Sequence, residues 1–310
     1  MIIAVYFPLI AAVLVGIAMR TRVLEPKHPA VATWTVTIAT ALTAVLSTWS
    51  LVLLAAARLD RVAYVTERLH ITGGLLRREE HIPIAVSLVA LVLLLTRIAR
   101  VIGTVRRAHR ARHAAAVFRS RNPGPLVVVA DDQPIAFALT GRRHETGVVV
   151  ISTAVLQSIP DEERRGVLAH ENAHLDLRHH RHRTVVGLGV SLEPALRAAN
   201  AASERAIERW ADEHAARTRQ GRSDVAAALS SFRRLAHGTV QRPVRTDTEL
   251  IGGLAFARSS TQERIEALLA TPPVRRARDV IPFAAMALLT AAAACDASHQ
   301  LVHLLRVASR

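Results

Sequence analysis

Long apolar runs occupy much of the first hundred residues, and they predict helices that cross a membrane. A spanning helix needs about 20 apolar residues to cover about 30 Å of hydrocarbon. Residues 1–19 and 33–57 contain no charged side chain, and residues 82–102 contain none before Arg97. The first run lacks the basic start and the Ala-x-Ala site of a cleaved signal peptide, so we expect all three runs to span. A weaker fourth run begins at residue 280.

The middle of the chain has shorter patterns that predict a folded α+β domain. β-Branched runs bounded by Gly, Asp and Pro predict a small sheet with strands at 126–130, 135–139 and 147–151, the last two joined as a hairpin. Pro160 and the three acids after it mark a helix start, because proline suits the first turn and acids complement the helix dipole. That helix runs through His174, and a second long helical pattern covers 203–219.

These patterns divide the chain into four parts. We expect three transmembrane helices in 1–103, a basic juxtamembrane segment and linker in 104–125, a cytoplasmic domain in 126–279, and a fourth transmembrane helix with a short tail in 280–310. The expected fold class is a mainly α membrane protein, with three N-terminal and one C-terminal transmembrane helices around an α+β domain that contains a small β-sheet.

Composition narrows the class of protein further. Hydrophobic residues make up 51% of the 310 residues and aromatic residues only 4%, which is typical of a chain with part of its length in lipid. This apolar content excludes extensive disorder. The single cysteine, Cys295, excludes a secreted scaffold built on disulfides.

The formal net charge of +15 is carried almost wholly by arginine. A run of arginines extends from Arg97 to Arg121, with no acid before Asp131. Basic segments next to spans face the cytoplasm, so we expect a multi-pass protein of the bacterial cell membrane whose domain is cytoplasmic. In that position the arginines favour anionic lipid headgroups as partner, at roughly 1 kcal/mol per residue, and no direct nucleic-acid binding is expected.

The strongest chemical motif lies on the first helix of the predicted domain, at His170-Glu-Asn-Ala-His174. Residues four apart share one helix face, so both imidazoles can bind one Zn²⁺. Glu171 then lies beside the metal without binding it, where it can take a proton from a water whose pKa the metal lowers toward ~7. The alternative is that the two histidines are merely exposed to solvent on a helix. Chance placement of histidine and glutamate rarely produces this pattern, so we favour the metal site.

A catalytic zinc also needs a third protein ligand and an open position. The second helical pattern places three acids, four residues apart, on one helix face: Glu204, Glu208 and Asp212. This face either supplies the third ligand or is a charged surface exposed to solvent. Three histidines follow the motif: His179, His180 and His182. They could form a second metal site, but we expect them to be a basic helix end exposed to solvent. His179 also stays a candidate for polarising substrate.

Both tyrosines, Tyr6 and Tyr64, lie outside the predicted domain. An oxyanion that forms in the domain must therefore be stabilised by histidine, arginine or backbone N–H groups. His144, His214 and His237 are further candidates, and the sequence does not rank them.

With the predicted topology, four stretches resemble the integral-membrane zinc peptidases of the BlaR/MecR type. They are spread over roughly half of the chain: 137–141 leading into 148–152, 161–180 with the zinc motif, Glu208-Arg-Trp-Ala-Asp212, and 261–269. The related HtpX and CAAX-prenyl proteases share the same His-Glu-x-x-His and Glu-x-x-x-Asp pattern. Three spans before the domain and one after it resemble BlaR/MecR, whereas HtpX-like chains place two before it.

The resemblance implies a zincin-like metallopeptidase domain with Zn²⁺ as its cofactor. It assigns three zinc ligands and one general base: His170, His174 and Glu208, with Glu171 as the base. Asp212 would then accept a hydrogen bond from a zinc-bound histidine, with Glu204 as the fallback ligand. The resemblance also implies that the strand at 147–151 holds an extended substrate by edge pairing.

We therefore expect a membrane-embedded zinc endopeptidase that acts on the cytoplasmic side, with a protein substrate such as a transcriptional repressor. The alternatives are an HtpX-like quality-control protease of membrane proteins and a non-catalytic, zinc-containing signal transducer. Only residues 299–310 follow the fourth run, so we expect neither the penicillin-binding domain of BlaR/MecR sensors nor direct antibiotic sensing. The sequence sets no oligomeric state.

Overall fold

The computed structural model describes residues 2–22, 27–56, 83–141, 147–218, 221–238 and 261–274, together with separate positions between 281 and 299. In chain order its main elements are α1 (Ile2–Thr21), α2 (Pro29–Ala56), α3 (Ile84–Arg121), β1 (Leu126–Val129), β2 (Ala136–Leu139), β3 (Val148–Ser152), α4 (Thr153–Ser158), α5 (Asp161–Asp176), α6 (His179–Leu192), α7 (Ala198–Thr218), α8 (Arg222–Gly238) and α9 (Thr261–Leu269). A 3-10 turn, Pro194–Leu196, joins α6 to α7. The mainly helical class with a small sheet is confirmed.

Three apolar helices form the first part of the chain, at the positions of the first three predicted spans. By length and composition, α2 and α3 are long and apolar enough to cross a membrane, and α1 is a shorter apolar helix. In its most apolar window α2 is 50% buried against protein, whereas α3 is only 17% buried. The outer side of α3 therefore exposes large apolar side chains, among them Leu88, Val92 and Leu95. Water-soluble surfaces rarely carry such a continuous apolar patch.

Helix α3 is longer than the third predicted span. It continues without interruption through the segment that we expected to be a juxtamembrane region and linker, and it ends only at Arg121. Asn122 and Pro123 follow, and a proline disfavours helical backbone at the residue before it. The basic run is thus a helical extension of the third apolar segment. Arg97 departs from the rest of the run, because it is buried and pairs with Glu193.

Helices α1 and α2 pack directly against α6 and α7. One hydrophobic cluster joins these four helices and includes Val15, Met19, Val36, Ala39, Val186, Ala199 and Ala202. Gly189 permits the close approach of α6 to α2, because a Cβ at this position would meet Thr40 Cγ2 at 2.7 Å. The apolar N-terminal helices and the helices of the predicted domain therefore share one core.

The sheet has the strand order β1-β3-β2, with β1 parallel and β2 antiparallel to β3. All three predicted strands are confirmed to within about a residue. The expectation that the strand at 147–151 holds substrate by edge pairing is wrong, because β3 is the central strand. Its backbone bonds with β1 on one side and with β2 on the other, so β1 and β2 form the edges of the sheet within the described part of the chain. Strand β2 packs beside α5.

A second core lies below the sheet and supports α5. It joins β3, α4, α5, α8 and α9 through buried side chains that include Ile151, Val155, Val167, Leu229, Phe232 and Leu268. The predicted loop at 58–81 lies outside the described residues. Most of the predicted C-terminal span and tail also lies outside them, and only separate helical positions between 281 and 299 are described.

Candidate functional site

Helix α5 carries the zinc motif on its buried face. It begins after Pro160, as predicted, and three acids occupy its first turn. The imidazoles of His170 and His174 meet edge to face with ring centroids 4.8 Å apart, and their Nε2 atoms lie 3.1 Å from each other. Both rings are almost fully buried, as is Glu171 between them. The four-residue spacing thus produces the shared face that the sequence indicated.

Helix α7 brings Glu208 to the two histidines. Its Oε2 atom lies 3.3 Å from His170 Nε2, and its Oε1 atom lies 3.5 Å from His174 Nε2. The glutamate is only 1% exposed. The three side chains form a buried group whose potential ligand atoms all lie within 4.8 Å of one another.

This group fits a zinc ion in donor type and in spacing. Zinc–ligand bonds of about 2.0–2.1 Å in a tetrahedral site place neighbouring donors about 3.3 Å apart, and the three donor contacts measure 3.1 to 3.5 Å. The Oε2 atom of Glu208 is buried and accepts no hydrogen bond from the described residues, although Arg264 Nη1 lies 3.1 Å away. A buried carboxylate oxygen in this condition can serve as a metal ligand.

Asp212 lies one helical turn after Glu208 and contacts the other side of His170. Its Oδ1 atom is 2.9 Å from His170 Nδ1. An Nδ1–H group that donates to Asp212 leaves the Nε2 lone pair of His170 directed toward Glu208 and His174. The structure therefore places Asp212 where the sequence analysis expected it, although its effect on metal binding stays a prediction.

Sequence reasoning missed Arg264 of α9, a fully enclosed cation at the site. Its guanidinium donates to both carboxylate oxygens of Asp212, at 2.6 and 2.8 Å, and its side chain is only 2% exposed. Arg264 lies in the stretch 261–269 that carries the family resemblance, but the sequence analysis assigned it no role, because no local pattern marks it as buried. Only the packing of α9 against α7 and α8 brings it to the site.

Arg183 of α6 is a second cation that sequence reasoning missed. Its Nε and Nη2 atoms donate to the carboxylate of Glu204 at 2.9–3.0 Å, and Nη2 also lies 3.0 Å from Glu208 Oε1. Glu204, the fallback ligand, is therefore paired with Arg183 and does not belong to the buried ligand group.

These neighbours shift the protonation of the site in different directions. Burial is the main cause that raises the pKa of Glu171 to about 7, which suits a general base near neutral pH. Burial tends to lower the pKa of His170, but close contacts with the carboxylates of Asp212 and Glu208 outweigh this effect and raise the pKa to about 9. Burial opposes ionisation of Glu208, yet His174 and Arg264 hold its pKa well below the usual range. A metal ion that binds His170 would therefore compete with a proton for this imidazole.

The expected solvated histidine end of α6 is wrong for two of its three members. His180 is exposed, whereas His179 is fully buried and His182 nearly so. His182 Nδ1 lies 2.9 Å from Thr37 Oγ1 of α2, because α6 packs against that helix. These histidines do not belong to the metal-type group identified among the described residues.

His179 contacts His174 on the side of the ring that faces away from Glu208. Its Nδ1 atom is 2.9 Å from Nδ1 of His174, on the side of that ring opposite Nε2. Polarisation of substrate by His179 is therefore not supported. His214 lies 3.7 Å from Asp176, and the side chains of His144 and His237 lie outside the described residues.

Comparison with curated proteins finds short but clear similarities. A protease HtpX homolog of Gemmatimonas aurantiaca is 43% identical over 61 residues, which are 19% of this chain and 22% of the relative. A protease HtpX homolog of Burkholderia mallei is 44% identical over 61 residues, 19% of this chain and 21% of the relative. The chain thus spans about a fifth of the length of these relatives. No solved structure matches.

A comparison at the level of whole families gives a broader match. Residues 104–278 match peptidase family M48, a range that includes the His-Glu-x-x-His motif, Glu208, Asp212 and Arg264. The resemblance to membrane zinc peptidases is thereby confirmed, and the matches fall on the HtpX-like relatives that the sequence analysis named beside the BlaR/MecR type. Since this match covers more than half of the sequence, the chain belongs to peptidase family M48.

Proposed function

We propose that this chain is a membrane-embedded zinc endopeptidase that cleaves peptide bonds on the cytoplasmic side of a bacterial cell membrane. The observation that carries the proposal is the buried convergence of His170, His174 and Glu208 beside Glu171. These are the donor types of a catalytic zinc site with an open position. Membership of a peptidase family supports the same chemistry.

The residues of the site have separate tasks in this reaction. Zinc bound by the three ligands would lower the pKa of the attacking water and polarise the substrate carbonyl. Glu171 takes a proton from that water and passes it to the leaving amine as the C–N bond breaks. Its pKa of about 7 lets it accept and release a proton near neutral pH. Asp212 keeps His170 oriented through the 2.9 Å contact at Nδ1.

An extended substrate peptide is best received by β2. Strand β2 is an edge of the sheet and packs beside α5, which carries Glu171. A peptide that adds to an exposed strand edge gains main-chain hydrogen bonds independent of its sequence. This arrangement replaces the edge pairing that the sequence analysis assigned to β3.

Two features support attachment to the membrane. The outer sides of α1, α2 and α3 expose rows of large apolar side chains, for example Ile10 and Ile17 on α1 and Trp34 and Val45 on α2. The basic extension of α3 beyond residue 104 is mostly exposed, and it is suited to anionic headgroups on the cytoplasmic side. The domain would then lie close to the membrane surface.

Two versions of the function differ in their substrates. The proposed version is regulatory cleavage of a repressor or a similar regulator, which follows from the predicted topology of three spans before the domain. The name HtpX carried by the curated relatives favours a second candidate, the removal of membrane proteins. Both use the same chemistry at Glu171.

The test maps new protein N-termini in cells that express the wild type, Glu171→Gln or Glu162→Gln. The first substitution removes the base and leaves the three ligands in place. The second makes the same change at an exposed position of α5 and serves as the matched control. Zinc content of each purified protein is measured in parallel.

Each pattern of cuts points to one function. Cuts in one or a few cytosolic regulators, made by wild type and Glu162→Gln alone, support regulatory proteolysis. Many cuts in membrane proteins support the second candidate. Identical maps, with zinc retained and no peptide cleavage by the purified protein in detergent, would mean a non-catalytic zinc protein.

A further inference from the structure

We propose that Arg183 is a catalytic residue, whose free Nη1 group stabilises the negative oxygen that forms on the substrate carbonyl during peptide cleavage. This inference rests on the proposed peptidase function and answers a question that the sequence left open, namely which side chain replaces tyrosine as the oxyanion donor. When water adds to the carbonyl carbon, the C=O electron pair moves to oxygen. When the C–N bond breaks, that pair re-forms the carbonyl and the amine leaves with a proton from Glu171.

The hydrogen bonds of Arg183 fix the direction of its guanidinium. Nε and Nη2 together hold Glu204, and the remaining N–H of Nη2 donates to Glu208 Oε1 at 3.0 Å. A guanidinium is planar and its donors have a rigid fork geometry. One N–H of Nη1 therefore runs parallel to the N–H that points at Glu208, and it is directed into the space beside Oε1.

That space borders the ligand group. Glu208 Oε1 lies 3.5 Å from His174 Nε2, so the free N–H of Arg183 points along the edge of the proposed metal site. No described residue accepts a hydrogen bond from Nη1. The side chain of Arg183 is 31% exposed, whereas that of Glu208 is 1% exposed. Arg183 is therefore the more exposed of the two arginines that contact Glu208, since Arg264 is only 2% exposed, and its Nη1 group still has a donor available.

Two other candidates among the described residues, Arg264 and His179, are less suited to this task by their positions. Arg264 is 2% exposed and its guanidinium is engaged by Asp212 and Glu208. His179 lies behind His174, where its contact is with Nδ1 and not with the ligand side of the ring. Arg183 differs from both because Glu204 and Glu208 fix its Nε and Nη2 groups, while its Nη1 group has no acceptor among the described residues.

The test separates binding of an anion from binding of the metal. The full chain in detergent is loaded with Co²⁺, and an N-phosphoryl dipeptide is titrated while the cobalt absorption spectrum is recorded. The tetrahedral phosphoryl oxygens of this probe imitate the charged oxygen of the reacting carbonyl. Arg183→Lys keeps the positive charge next to Glu208 but loses the Nη1 donor. We expect its affinity for the probe to fall about 10²–10³-fold, the range seen when one oxyanion donor is removed, with Co²⁺ affinity within about threefold of wild type.

Arg181→Lys is the matched control, because Arg181 is an exposed residue of the same helix. It should keep wild-type affinity for both cobalt and probe. A second variant, Arg183→Ala, tests the same point without depending on lysine. Guanidinium ions at a non-denaturing concentration should restore its probe binding and should have no effect on Arg181→Ala.

Three results would overturn the assignment. Wild-type probe affinity in Arg183→Lys would show that the Nη1 group does not bind the anion. Equal losses of cobalt and probe affinity, without rescue by guanidinium, would show that Arg183 only supports Glu208. A wild-type protein that binds cobalt but gives no spectral response to the probe would refute the proposed peptidase function, and this inference with it.

Discussion

Arg264→Met tests whether the buried arginine of α9 holds the candidate site together before a metal binds. Arg264 donates two hydrogen bonds to Asp212, at 2.6 and 2.8 Å, and lies 3.1 Å from Glu208. All three side chains are at most 2% exposed. Methionine fills most of the same volume, so the main change is the loss of a buried positive charge between two carboxylates.

The expected cost follows from this burial. Removing one partner of a buried, hydrogen-bonded ion pair destabilises a protein by about 3–5 kcal/mol, because the other charge stays buried and unpaired. In a protein of this size each kcal/mol lowers the unfolding midpoint by roughly 2–4 °C. Without metal, the midpoint of Arg264→Met should therefore fall by on the order of 10 °C. A bound divalent cation compensates Glu208 directly, so zinc should recover part of this loss.

The assay is thermal unfolding of the full chain in detergent, followed by circular dichroism, first with a chelator and then with zinc. Arg233→Met is the matched control. Arg233 contacts the same helix α9 through Gln262 Oε1 at 2.7 Å, but this contact is exposed, and we expect an effect below about 1 kcal/mol. If Arg264→Met unfolds within about 2 °C of wild type in chelator, Arg264 does not compensate the buried carboxylates and the reasoning fails.

Three further predictions follow from the same geometry. Asp212→Asn should lower zinc affinity about 10–100-fold, the usual effect of losing the hydrogen-bond partner of a ligand histidine. Competition with a chromophoric chelator measures this affinity, and an unchanged value would refute the orienting role of Asp212. Burial raises the pKa of Glu171 to about 7, and only the ionised form is a base, so the rate of peptide cleavage should fall about tenfold per pH unit below that pKa. A bound cation favours the ionised carboxylate and moves this limb downward, so a midpoint clearly above pH 7 would contradict the assignment. Arg97→Met or Glu193→Met alone should each destabilise the protein by about 3–5 kcal/mol, because each leaves the buried partner charge unpaired; the double variant should lose less than the sum of the two, and additive losses in a double-mutant cycle would rule out their pairing.

The local elements of this protein were largely predictable because their signals lie within a few residues. Proline and three acids marked the start of α5, and the four-residue spacing placed His170 and His174 on one face. β-Branched runs bounded by Gly, Asp and Pro located the three strands to within about a residue. Each of these features depends on backbone preferences that neighbouring residues set.

Predictions from the sequence were wrong or missing for features that depend on packing between distant segments. The order of the strands is a matter of pairing, so the pattern at 147–151 did not reveal that β3 is central. The histidines after the motif looked solvated, yet α6 packs against α2 and buries His182. Arg264 received no role from the sequence, because only the packing of α9 against α7 and α8 brings it to the site.

The sequence by itself determined the features that short spacing sets. These are the apolar helices, the His-Glu-x-x-His motif on one helix face, and the Glu-x-x-x-Asp pair at Glu208 and Asp212. Helical periodicity imposes those arrangements on any fold that contains them. Only the tertiary structure decided which charges compensate the buried carboxylates. Arg183 and Arg264 come from α6 and α9, and long-range packing brings them to opposite sides of Glu208. Such contacts depend on the burial of whole helices, which no local pattern records.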